Sequence, residues 1–302
     1  MLEFFINDII KLMKIYHTPV LIKEVLTLLD VKEGDIVVDC TIGEGGHSAE
    51  ILPLIGKDGF LYGIDRDEEA LEKAYKRLIL IGKNFELIHS NFSNILDIAK
   101  DKHLRVDKIL VDLGVSSMQF GESERGFSFM KDGPLDMRMD KSTGFTAADI
   151  VNSFSKDKIA DIIYKYGEER FARRIANSII SYRKRKKIET TTELAEIVKR
   201  VYPHKWYRIH PATRTFQAIR IAVNGELKHL EEFLKTFPEI LRKNGRVVII
   251  SYHSLEDRLV KKYFKENENL RLLNKKVIRP SEEEVIQNPK ARSAKLRGAE
   301  KL

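Results

Sequence analysis

Read for polarity alone, the early part of the chain alternates short β-branched apolar runs with amphipathic stretches. Val20, Val25, Leu26, Leu28 and Leu29 recur at helical spacing and stop at Lys32-Glu33-Gly34, which predicts a helix closed by a turn. Apolar runs at 36–41, 60–66, 85–89 and 108–113 predict strands, with helical patterns at 46–55 and 68–80 between them. That alternation predicts a parallel sheet with right-handed crossovers. After Asp112 the rhythm breaks. A polar, Gly-rich loop runs from Gly121 to Gly144, and helical patterns follow at 147–154, 156–166, 168–185 and 192–201. Helices at 212–224 and 227–241 and a strand at 246–251 then resume the alternation. A β-type run at 270–278, a short helix capped at Ser281 and a basic tail end the sequence. The predicted fold is α/β: a Rossmann-like, doubly wound, mostly parallel sheet over 1–118 and 213–302, carrying an inserted, mainly helical domain at 119–212.

The stretch from Ile36 to Ser48 carries the first chemistry. A strand ends at Asp39 and passes through Gly43, Gly45 and Gly46 into a helix, as in folds that hold a nucleotide-like ligand beyond a strand's carboxyl end. Glycines there allow positive φ and leave no Cβ between chain and ligand. Ser48 stands where the dinucleotide fingerprint has its third glycine. Asp39 suits a nucleoside with an amino group better than one with a pyrophosphate. A second strand ends at Asp65, 20 residues after Gly45, the place of an acid that accepts from ribose hydroxyls. These features read as a site for S-adenosylmethionine (SAM), with NAD as the alternative.

Charge narrows the partner. Lys and Arg number 53 against 45 Asp and Glu in 302 residues, a net of +8 that favours a polyanion. Glu168 to Arg214 holds 13 of the bases and 5 of the acids, so this segment alone accounts for the net charge. Its densest piece is Arg183-Lys184-Arg185-Lys186-Lys187, with Arg170, Arg173 and Arg174 upstream and Phe171, Tyr182, Tyr202, Trp206 and Tyr207 interleaved. Cations neutralise phosphates and aromatic faces stack on unpaired bases, so the segment is read as facing nucleic acid. A solvated helix end is the competing reading. On the helix at 212–224, Arg214, Gln217, Arg220 and Asn224 form one polar stripe, read as facing RNA or the active-site loop. Cys40 is the only cysteine, which excludes an internal disulfide and suits a cytoplasmic protein. No apolar run is long enough for a membrane span, and the scattered histidines show no metal-ligand spacing. The residues before Tyr16 predict a short amphipathic helix rather than a signal peptide, and Met13 serves equally as a start.

Several separated motifs then agree: HTPVL (17–21), DCTIGEGGHS (39–48), GIDRD (63–67), DLGVSS (112–117), RGFSF and DGPLDMRMD (125–140), HPATRTFQAIRIAVNGEL (210–227), SYHSLEDR (251–258) and ARSAKLR (291–297). In this order they resemble the RsmH (MraW) family of bacterial ribosomal RNA small-subunit methyltransferases. Glu44 departs from a turn position often held by Gly. The resemblance implies methyl transfer from SAM to N4 of a cytidine in the decoding region of 16S rRNA, expected within the small ribosomal subunit, with naked rRNA left open as the substrate. It implies that Gly45, Gly46 and His47 bind SAM, Asp65 its ribose and Phe92 the adenine side, with Asp112 and Gln119 completing the site.

Cytosine N4 is a poor nucleophile, so an acceptor facing the amino group would help it pyramidalise and shed a proton. Asp112, Asp136, Asp140 and His253 are the candidates. Asp136 and Asp140 equally suit pairing with Arg138 in a structural loop, and His253 equally suits capping the next helix through Ser254. The expected RNA contacts are Arg183, Lys184, Arg185, Lys186, Lys187, Arg214 and Arg220. No metal is expected, and a homodimer is left open. The alternatives are an amino-methyltransferase for another RNA and a non-catalytic RNA-binding ribosome assembly factor.

Overall fold

The computed structural model describes residues 19–114, 121–142, 144–203 and 207–302. The expected N-terminal amphipathic helix, His17, Gln119 and Trp206 lie outside the described residues. Cα packing divides the chain into two compact units, one drawn from Met1–Gly114 and His229–Leu302, the other from Val115–Lys228.

The first unit is a seven-stranded sheet. Its strands are β1 (Ile36–Asp39), β2 (Phe60–Asp65), β3 (Phe85–His89), β4 (Val106–Asp112), β5 (Leu241–Ser251), β6 (Leu270–Leu272) and β7 (Lys295–Lys301), in the spatial order β3-β2-β1-β4-β5-β7-β6. Strands β1 to β5 pair in parallel, and β7 runs antiparallel between β5 and β6. This is the doubly wound, Rossmann-like arrangement. Alternation along each strand splits the apolar residues between two faces. Val37, Leu61, Leu110, Val248 and Ile250 pack with α1 (Ile22–Leu29), α2 (Gly46–Ile51) and α3 (Glu68–Leu78). Val38, Ile64, Ile109, Val111, Val247 and Ile249 pack with α4 (Ile95–Asp101), α10 (Glu226–Ile240) and α11 (Ser254–Glu266). Helix α3 shows why these segments fold locally. Asp67 caps it by accepting from the Glu69 N–H, and Ala70, Leu71, Ala74 and Leu78 form its buried stripe.

The second unit is helical: α5 (Ala147–Ser153), α6 (Lys156–Gly167), α7 (Ala172–Arg183), α8 (Thr191–Lys199) and α9 (Thr213–Asn224). They enclose Ile150, Ile163, Ile175, Ile179, Leu194, Val198, Phe216 and Ile219. Capping boxes at Thr146 and Thr190 start α5 and α8. A Cβ on Gly167 would lie 2.7 Å from the Arg214 carbonyl oxygen, so only glycine lets α6 approach α9 this closely.

The structure differs from the sequence pattern in places. Helix α9, assigned by its pattern to the sheet domain, packs Phe216 and Ile219 into the helical unit's core. Helix α7 starts four residues late, because Glu168 adopts left-handed φ 47° and ends α6. The β-type run at 270–278 shortens to β6 plus a bridge from Ile278 to Leu296. The basic tail is no tail: β7 is a buried strand. Its charges are matched, Arg297 by Asp257, Glu300 by Arg246 and Arg271, and Lys301 by the Pro238 and Leu241 carbonyls.

Candidate active site

The order of the sheet places a topological switch between β1 and β4, because the chain leaves β1 toward β2 and later returns on the other side as β4. Ligands of such sheets sit outside the strand tips at that point. The expected cofactor residues gather there. Gly45, Gly46 and His47 follow β1, Asp65 ends β2, Phe92 follows β3, and Asp112 ends β4.

The glycine turn is tied to the strands on both sides. Gly43 N–H donates to Asp65 Oδ2 at 2.8 Å, and the Asp112 N–H donates to Thr41 Oγ1 at 2.6 Å. Gly43 and Gly45 take φ of 51° and 75°, which favours glycine at both. Gly63 on β2 has its own steric reason, since a Cβ there would meet Ile42 Cδ1 at 2.2 Å. Asp65 also accepts from the Asp67 N–H at 3.0 Å. Burial raises its carboxyl above the ordinary range, against the pull of these two donors. Each of its oxygens retains a lone pair that could accept from a ribose hydroxyl.

Asp39 has a different task from the one its position suggests. It is 2% exposed and accepts from Ser48 Oγ at 2.7 Å and from the Thr41 N–H at 3.2 Å. It therefore pins the turn rather than greeting a ligand, and burial pushes its carboxyl up to about 6. Ser48 serves in place of a third glycine by supplying that hydrogen bond. The His47 ring is also buried, with Nε2 2.9 Å from the Val20 carbonyl oxygen. That contact fixes the proton on Nε2 if the ring is neutral. Phe92 is half-buried and packs edge-on against Phe233 at 5.7 Å. Burial raises the Asp112 carboxyl, against the opposing pull of His47 and Tyr252. Tyr252 was not singled out in the sequence, where nothing about its spacing marks it.

The candidate acceptors each have structural partners. Asp136 is bound by Arg138 through Nε (2.9 Å), Nη2 (2.8 Å) and the backbone N–H (2.9 Å). Burial alone would raise its carboxyl, but Arg138 holds it below the usual range. Asp140 accepts from Ser142 N–H and Oγ. His253 is itself the N-cap of α11, in a reciprocal pair with Glu256, so the cap is not Ser254.

The expected RNA set divides. Lys184, Arg185 and Lys187 are exposed, and Lys186 pairs with Glu193. Arg183 points inward, its Nη1 donating to the Val151 and Phe154 carbonyls at 2.8 Å each. Arg220 is held bidentately by Glu226 at 2.9 and 2.8 Å. Arg214 is exposed, with Nη1 3.2 Å from the Glu168 carbonyl oxygen. Asn224 bridges the Met139 N–H and the Met137 carbonyl, at 2.8 Å each. The polar stripe of α9 thus binds its own unit, and at Asn224 the loop it holds is PLDMRMD. Arg183 and Arg220 are occupied by structural bonds that a backbone-blind reading of charge could not foresee.

Residues 14–302 match the MraW methylase family. The chain belongs to that family. Relatives named ribosomal RNA small subunit methyltransferase H are 47% identical in Halothermothrix orenii, over 95% of this chain and 98% of theirs. The Persephonella marina relative of the same name is 48% identical over 95% and 99%. A solved rRNA-methylase structure from Clostridium thermocellum, titled putative, is 15% identical with a TM-score of 0.46, covering 93% of this chain and 95% of its own. As a member of the MraW methylase family the chain is a methyltransferase, and its methyl donor is SAM. The donor set at the strand tips fits that molecule. Acceptors at Asp65 and Asp112 suit its ribose diol and its amine, and the glycines at 43, 45 and 46 let the turn's backbone approach closely. Among the described residues, no helix is long and apolar enough to cross a membrane.

Proposed function

We propose that this methyltransferase acts on ribosomal RNA of the small subunit and methylates the exocyclic N4 of a cytidine in the decoding region of 16S rRNA. The near-full-length likeness to relatives of that name, at 45–48% identity, carries the reading. The base and atom rest on the ordered motifs, above all PLDMRMD and HSLEDR.

SAM supplies a methyl already activated on a sulfonium. The protein's main task is therefore alignment, which alone can contribute on the order of 7–11 kcal/mol to lowering a barrier. Asp65 holds the ribose end, the glycine turn seats the main body, and Asp112 holds the far side. The ring of His47 anchors Val20, so any part it plays falls to its main chain. Asp136, Asp140 and His253 already accept or share hydrogen bonds within their own segments, so none stands as a bare general base. N4 attack on the methyl breaks the methyl–sulfonium bond, and the extra proton N4 then carries passes to water, with alignment carrying the rate. Cys40 supports an amino target over ring carbon C5. Methylation at C5 needs a thiolate, and this thiol is packed in the core with its pKa pushed well up by burial.

Transfer of tritiated methyl to small subunits from a strain lacking the modification tests the proposal. Nuclease digestion and mass spectrometry should then show N4-methylcytidine. Methyl on C5, or none, would refute it, and incorporation excludes a binding-only assembly factor.

A further inference from the structure

The helical unit carries a run of stacked side chains that the chemistry above leaves unused. Arg170 and Arg174 place their guanidinium carbons 4.8 and 5.6 Å from the centroid of the Phe171 ring. Phe171 meets Tyr202 edge-on at 5.0 Å, and Tyr202 meets Tyr207 the same way at 5.5 Å. Both arginines are exposed, as are Arg173 and Arg208 nearby in sequence, and the three rings are half-buried.

The base beneath is rigid. Tyr202 Oη donates to Glu169 Oε2 at 2.6 Å, and the Phe171 N–H donates to Glu169 Oε1 at 2.8 Å. Glu169 is 2% exposed, so one buried carboxylate holds the Tyr202 hydroxyl and the main chain at Phe171. Tyr207 Oη donates to the Pro203 carbonyl at 3.0 Å. Arg214 Nη1 lies 4.0 Å from Glu169, adding a further exposed cation to the same group.

A guanidinium held over a ring is already extended, so little side-chain entropy remains to be lost on binding. Its outer face can stack on an unpaired base while its N–H edges meet phosphates. A duplex hides its base faces, and an acidic peptide would use the charge but not the rings. By contrast, the run Arg183–Lys187 has one arginine turned inward and one lysine paired, as described above. We propose that Arg170, Phe171, Arg174, Tyr202 and Tyr207 form a docking surface for single-stranded RNA, bound by stacking and phosphate pairing. The proposal rests on the RNA-substrate reading and locates its landing surface.

The test uses the full chain, a labelled single-stranded oligonucleotide and a duplex of the same sequence, with affinity measured over a range of salt. Wild type should prefer the single strand. R170Q/R174Q should weaken that binding and flatten the slope of log K against log salt by about 1.4, two single-strand contacts at roughly 0.7 each. Phe171→Leu, which keeps the apolar packing but removes the ring face, should weaken single-strand binding by about tenfold while leaving the slope unchanged. Stabilisation by SAM should persist in all variants and verifies folding. Unchanged affinity in both variants, or equal losses for duplex and single strand, overturns the surface. If wild type methylates no small-subunit RNA, the substrate reading fails instead, whatever the variants do.

Discussion

Tyr252, the residue that follows β5, acts on the Asp112 carboxylate at the tip of β4 and draws its pKa down against the push of burial. The ring has room because Gly114 carries no Cβ; one placed there would lie 2.7 Å from Tyr252 Cε2. Tyr252 is a positioning residue for Asp112. Tyr252→Phe should weaken SAM binding, because Asp112 loses a polar neighbour that favours its charged form. It should also raise the pH at which binding sets in, because Tyr252 lowers the Asp112 pKa. Calorimetric titration with SAM at several pH values reads both effects. A purely structural role would leave the pH profile in place.

Asp65→Asn keeps shape and one acceptor but loses charge. SAM affinity should fall by about tenfold or more while RNA affinity stays put. Parallel titrations with SAM and with RNA decide this. A loss confined to RNA would mean that the two sites are exchanged.

Asp39 gives a pH signature. Its folded carboxyl is raised from 3.8 to about 6, so the folded state binds the proton more tightly than the unfolded one. Its contribution is full below 3.8 and is lost as pH rises through about 6. Asp39→Asn should therefore remove part of the decline in stability with rising pH across that window, seen as a difference between denaturation midpoints of variant and wild type. Parallel curves would show that the carboxyl is not raised.

Arg183 separates structure from charge. Arg183→Ala removes a cation bonded to two carbonyls that follow or end α5, and should cost about 1.5–3 kcal/mol. Replacing exposed Lys184, Arg185 and Lys187 with Gln should leave the melting temperature nearly unchanged. Thermal unfolding of the two variants side by side checks the contrast.

Much of this was legible in the sequence where burial imposes a pattern. Strands β1, β2 and β4 announce themselves because they carry buried apolar residues on both faces and each ends in aspartate. The expected cofactor positions came from the family resemblance, and those described lie at or shortly after strand ends. Strand β7 was not legible, because Lys295, Arg297, Glu300 and Lys301 look like solvated tail. Their partners, Asp257, Arg246, Arg271 and two carbonyls, arrive from distant parts of the chain. Arg220 misled for a related reason, whereas Asn224 meets the PLDMRMD loop, one of the two partners expected for its stripe. Helical spacing shows that residues share a face, not whether that face meets solvent or a neighbouring loop. Tyr252 was hidden because its link to Asp112 spans 140 positions of sequence.

Cys40 precedes the turn that Asp65 and Asp112 tether from either side, and its thiol is packed in the core with Val38, Ile64 and Val111. A thiol-reactive dye can reach a buried thiol only through local opening, so the alkylation rate of the protein's sole thiol clocks the openings of the structure around β1 and its turn. A bound donor bracing both tethers would slow the clock, turning an otherwise inert sulfur into a gauge of how tightly the cradle is shut.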